Sequence, residues 1–309
     1  MLGKSVELAP QAPQATTDLH RIALGLESGI SDQCIYSLCC LDACIIEGIV
    51  NPVKDEGLWN RAESSLLKIL FSSATGPLLL QVLHTLSLSL QISDPESDAL
   101  IPRLISILMG EGSFAVRERQ LALRCLGVLE LDEGELKAFQ RALSLILRFS
   151  QNDNSVELLT VSVALMARYV SDYSQEEINE QIIPAMLRRV KSKSISNASK
   201  KSIKLVLACI GLIHLVLENK PEVVNSSCRS TIISLFIERL LGACGCQPGT
   251  ACEACQGCVS CLLRIGVHPV MREDLRPFMD AVLQVAWNWK SGSPIAAQSL
   301  LNMMSGLLH

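Results

Sequence analysis

At 309 residues with a net charge of −4, the chain is long enough for a sizeable core and lacks the positive surplus of a general nucleic-acid binder. Hydrophobic residues make up 49% of it and aromatics only 4%, with a mean hydropathy of +0.33, so Leu, Ile, Val and Ala must fill the core and helices are favoured over sheets. No apolar run reaches the roughly 18–20 clean residues of a membrane span and no export signal opens the chain, so we expect an intracellular protein, nuclear or cytoplasmic, with its thirteen cysteines reduced.

Residues 1–15 read as a flexible arm. From residue 16 onward apolar residues recur at three- and four-residue steps, broken by turn signals, and the pattern predicts fourteen helices in seven pairs over 16–309. The first pair, 16–50, stops at Asn51-Pro52 and carries Cys34, Cys39, Cys40 and Cys44 in its second helix, where the spacing suits core packing and not a chelate. The second, 57–91, ends before Ser93-Asp94-Pro95 and places His84 in an apolar helix, as a satisfied core residue. The third, 97–130, has Pro102 in its first helix and ends before Asp132-Glu133-Gly134; the fourth, 133–171, ends at Ser171-Asp172. The fifth, 174–218, holds Pro184, a basic run and His214, the last again read as a core residue. The sixth, 223–266, contains a cysteine-rich insert over 242–261. The seventh, 272–307, carries Trp287 and Trp289 on different faces, so that at least one is exposed or covers the last repeat. Its apolar end, Gly306-Leu307-Leu308, lacks a polar closing face and predicts a continuation into a longer solenoid.

The second helices echo one another. Cys125-Leu126-Gly127-Val128-Leu129 matches Cys209-Ile210-Gly211-Leu212-Ile213, and Thr85-Leu86-Ser87-Leu88, Thr160-Val161-Ser162-Val163 and Cys258-Val259-Ser260-Cys261-Leu262 fit the same phrase. Cys40-Leu41-Asp42-Ala43-Cys44 fits it loosely, with Asp42 in a small-residue slot. These phrases, with Pro102 and Pro184 inside first helices and pair starts roughly 36–50 residues apart, resemble the HEAT and armadillo superfamily. The resemblance implies an all-α, right-handed α-solenoid of about seven helix pairs that binds other proteins on a concave surface and carries no catalytic residues. The long fifth and sixth pairs and the insert depart from it. The texture is also similar to that of long animal solenoids in meiotic DNA-break formation, which implies a nuclear complex for meiotic recombination.

Two local features carry chemistry. The first is C-x-C-x5-C-x2-C-x2-C-x2-C from Cys244 to Cys261. Cys258 aligns with Cys125 and Cys209, so Cys258 and Cys261 are assigned to packing. The remaining Cys244, Cys246, Cys252 and Cys255 have the spacing to hold one structural zinc ion; C-x2-C-x2-C also fits iron–sulfur ligation, but without the proline-containing tail of the bacterial pattern. Cysteines acting as small hydrophobes, or a redox pair at a helix N-terminus, are the other readings. The second feature is a basic run, Arg188, Arg189, Lys191, Lys193, Lys200, Lys201 and Lys204, with no acid between 188 and 204. It suits a phosphate, an acidic partner or a nuclear address, or else a solvated loop. It has no aromatics to stack on bases, so contact with nucleic acid would be indirect. The histidines are scattered, His268 being at best a spare metal ligand, and no phosphate loop, nucleophile elbow or H-E-x-x-H occurs. A non-catalytic interaction scaffold is the expected function, with no membrane partner.

Overall fold

The computed structural model describes residues 15–72, 74–93, 99–110, 113–149, 156–191, 200–243 and 252–308. Apart from Ala15, the expected arm lies outside them. Among the described residues the fold is all-helical, with fourteen α-helices and no strand. The chain divides into two compact units after Leu136. The first holds α1 (Ala15–Glu27), α2 (Ser31–Ile46), α3 (Glu56–Phe71), α4 (Gly76–Ser89), α5 (Leu100–Met109) and α6 (Val116–Leu126). The second begins inside α7 (Glu133–Phe149) and continues with α8 (Val156–Arg168), α9 (Ile183–Lys191), α10 (Lys200–Asn219), α11 (Ser226–Glu238), α12 (Glu253–Val267), α13 (Met279–Trp289) and α14 (Pro294–Leu308).

Helix ends follow from local chemistry. After α2, Gly48 adopts φ 67°, its N–H bonds Ile45 O at 3.1 Å, and the Ile49 N–H reaches Cys44 O at 2.9 Å. That left-handed position is one a side chain resists, and the two bonds satisfy carbonyls the helix leaves over. Asp132 and Glu135 exchange backbone and side-chain bonds of 2.7 and 3.0 Å to open α7, and Ser174 and Glu177 do the same at 3.2 and 2.9 Å ahead of α9. Asn225 caps α11, its side chain accepting from Cys228 N at 2.8 Å.

The two prolines act differently from a simple bend. Pro102 stands in the first turn of α5, where its missing N–H would have had no helical partner. Pro184 follows a π-helical turn, Glu177–Ile182, which absorbs the bond it cannot donate and the clash of its ring with the preceding turn.

Within each unit the helices form two rows. In the first, α2, α4 and α6 pack in succession, with α1 beside α2 and α3, α3 beside α4, and α5 beside α6. In the second, α8, α10, α12 and α14 make one row, while α9, α11 and α13 make the other. The second helices share a buried register. Cys209, Ile210, Leu212 and Ile213 of α10 occupy the places taken by Cys258, Val259, Cys261 and Leu262 of α12, all of them at most 4% exposed. Leu212, Ile213, Val216 and Leu217, each at most 2% exposed, contribute about 1.5–3 kcal/mol apiece. Close approach comes from glycine. A Cβ on Gly257 would lie 2.8 Å from Ile210 Cγ2, and one on Gly266 would run into the side chain of Met303. The third residue of the repeated phrase differs from copy to copy: Gly211 and Ser260 face solvent, whereas Ser162 and Asp42 are buried.

Asp42, the misfit in the small-residue slot, is 7% exposed. Its carboxylate accepts from Gln81 Nε2 at 2.7 Å and meets His84 Nδ1 at 2.8 Å, so α2 and α4 share a polar contact where sister helices share an apolar one. Over Ser202–Asn219, α10 is long and apolar enough to cross a bilayer by length and composition, although Lys204 and Glu218 interrupt it. Half of that window is buried, and the helix packs against α8, α9 and α12 as a core helix of its unit.

Candidate functional site

Cys244 and Cys246 lie outside the described residues, so the four-sulfur set is seen through Cys252 and Cys255. Cys252 is the N-cap residue of α12 and its Sγ donates to Cys255 Sγ at 3.3 Å. Cys255 is 1% exposed and occupies the position of Val206 in α10, which makes it a packing residue that repeat comparison overlooked. Among the described residues no three His, Cys, Asp or Glu side chains gather as a metal site. Cys258 and Cys261 are fully buried, and burial pushes Cys258 up to about 12 and Cys261 well above its ordinary value. The second cysteine group is dispersed within α2: Cys34 bonds Leu26 O at 3.5 Å from the buried face, while Cys39 is exposed.

The basic run separates into members with different work. Arg188 and Lys191 lie exposed on the last turns of α9 and form no ion pair among the described residues. Arg189 points the other way. It is half-buried, donates to Leu147 O at 3.3 Å, and burial pulls its pKa below the usual guanidinium value. Lys204 is exposed on α10. Lys193, and the side chains of Lys200 and Lys201, lie outside what is described.

Arg188 and Lys191 border a groove of about 780 Å³ between α9 and α11. Ile183 and Leu187 line it from α9, and Ser227, Ser230 and Ser234 face it from α11. A buried polar seam underlies one end. Asn179 donates to Gln175 O at 2.8 Å and Val223 O at 2.7 Å, and accepts from Asn225 N at 2.9 Å. Arg229 continues the seam to Asp274 at 2.5 Å and to the Val224 carbonyl.

The histidines differ from their expected core role. His84 is half-exposed and held by Asp42, and His214 lies at the surface 3.9 Å from Glu218. His268 Nδ1 accepts from Val270 N at 3.3 Å inside a turn. The tryptophans split as expected: Trp289 is 4% exposed and Trp287 74%.

One arrangement had no sequence signal. Arg103 donates to Leu70 O at 3.1 Å, Arg189 to Leu147 O, and Arg239 to Val190 O, each reaching the C-terminal end of an earlier first helix. Trp289 Nε1 does the same for Leu240 O at 3.4 Å. Helix C-termini leave carbonyls without helical partners and carry partial negative charge, so a guanidinium suits both needs. No protein-family model matches the chain, and no curated protein matches it.

Proposed function

We propose that the chain is a non-catalytic scaffold: a right-handed solenoid of HEAT/armadillo-like helix pairs whose second helices line the surface that holds a partner protein. The observation that carries this reading is an exposed apolar line on α2. Tyr36 is 71% and Ile46 69% exposed, Cys39 and Ala43 are exposed between them, and their three- and four-residue steps place all four on one side of the helix. Leu38, Leu41 and Cys44 already fill the buried side. A periodic apolar line facing water is the kind of surface a partner covers. The row of second helices within each unit supports the same reading, since each helix buries one face against the next and leaves another turned outward. A nuclear complex for meiotic recombination, the setting suggested by the texture of the chain, is part of this proposal and directs the choice of cells.

The test is affinity purification of the full chain from meiotic and non-meiotic cells, comparing wild type with Ala43→Glu/Ile46→Asp. Both positions are exposed, so helical content should be unchanged. We expect the variant to lose its specific partners by about tenfold or more. Full retention of every partner would remove the second-helix surface from consideration.

A further inference from the structure

We propose that the groove between α9 and α11 docks an extended, acidic segment of a partner protein, with side-chain carboxylates on Arg188 and Lys191. The inference rests on the scaffold reading but uses a different surface, on the first helices. Three observations converge. Arg188 and Lys191 are one helical step apart, so they present two charges on one side of α9, and neither charge is offset by an ion pair among the described residues. On the facing side, Ser227, Ser230 and Ser234 recur at three- and four-residue steps, and their hydroxyls make no hydrogen bond among the described residues. Between them Ile183 and Leu187 supply apolar contact.

An extended peptide matches this division of labour. Its side chains alternate, so one set can carry acids to the cations while the other meets the apolar lining. Its main-chain N–H and C=O groups find hydroxyls that both donate and accept. A lone phosphate would use the two cations and leave the hydroxyl row idle. Nucleic acid would need aromatic platforms, and none lines the groove. The volume of about 780 Å³ is in the range of sites that hold a ligand. Glu238 is the single acid on the lining and stands on the α11 side, where it opposes an anionic guest. Its removal should therefore tighten binding.

The experiment uses the full chain and a fluorescein-labelled octapeptide of alternating glutamate and leucine, read by fluorescence anisotropy. We expect binding that weakens about tenfold or more in Arg188→Glu/Lys191→Glu, tightens about two- to fivefold in Glu238→Gln, and weakens as salt rises. The inference is overturned if wild type fails to bind the peptide, if charge reversal leaves binding unchanged, if lysine in place of glutamate binds as well, or if inorganic phosphate displaces the peptide. Partner capture separates this failure from that of the scaffold reading. Loss of peptide binding with capture still sensitive to Ala43→Glu/Ile46→Asp rejects the groove alone. Intact peptide binding with capture insensitive to that pair rejects the second-helix surface alone.

Discussion

At the scale of single residues, the cysteines are governed by burial. Cys125, Cys209 and Cys258 are 0% exposed, and removal from water pushes each thiol up to about 12. The thiolate is the reactive and metal-binding form, so these three are inert hydrophobes at neutral pH. Their raised values also tie stability to alkali. In the unfolded chain a thiol ionises near about 8.5, whereas the folded protein keeps its proton until about 12. The unfolded state therefore binds fewer protons across that interval. Stability is complete below it and falls as pH rises through it, at up to about 1.4 kcal/mol per pH unit for each thiol. Urea midpoints should be flat from about pH 7 to 8 and decline above about 9, and a Cys125→Ala/Cys209→Ala/Cys258→Ala variant should show a shallower decline. An identical slope in the variant would assign the alkaline loss to other groups.

At the scale of elements, the polar seam through unit two makes the sharpest case. Arg229 and Asp274 are 10% and 13% exposed and joined at 2.5 Å, with Asp274 also accepting from Ser226. Taking away one member leaves the other charge buried, which costs about 3–5 kcal/mol. Asp274→Ala should lower stability by that amount in chemical denaturation, and Arg229→Met/Asp274→Leu should recover much of it. Failure of the double variant to recover would mean that the bond from Arg229 to Val224 O is the larger contribution. None of this seam was legible beforehand, whereas the helices were. Apolar steps of three and four residues and breakers such as Asn51-Pro52 mark helix positions because burial and turn chemistry act locally. The same logic made Cys258 recognisable as a sister of Cys209. Arg103, Arg189 and Arg239 escaped because their acceptors are main-chain carbonyls more than thirty residues away, and a carbonyl has no letter in a sequence. Arg189 was misgrouped with Arg188 for the same reason: adjacent residues on a helix point about 100° apart, and only packing shows which meets water. The groove beside Arg188 was half visible, as charge without its facing hydroxyls.

At the scale of the molecule, two compact units each have their own rows of packed helices. Stability in such an array is a sum of local and nearest-neighbour contributions, so damage should stay where it is made. Gly257→Ala brings a methyl group against Ile210 and should cost about 1–3 kcal/mol, less up to about 1 kcal/mol regained from helix propensity. Native-state hydrogen exchange on that variant should show weaker protection in α10 and α12 and unchanged protection in α2 and α4. A uniform loss would mean that the whole chain opens as one cooperative body.

The arginines that reach across to earlier first helices have a further consequence. A guanidinium holds its charge at any pH a cell experiences, and a peptide carbonyl is supplied by every residue type. Neither acidification nor substitution of Leu70, Leu147 or Val190 takes the acceptor away. The spacing of the first helices is thus insulated from changes on their outward faces, which are left at liberty to acquire new specificities while the frame beneath them keeps its alignment.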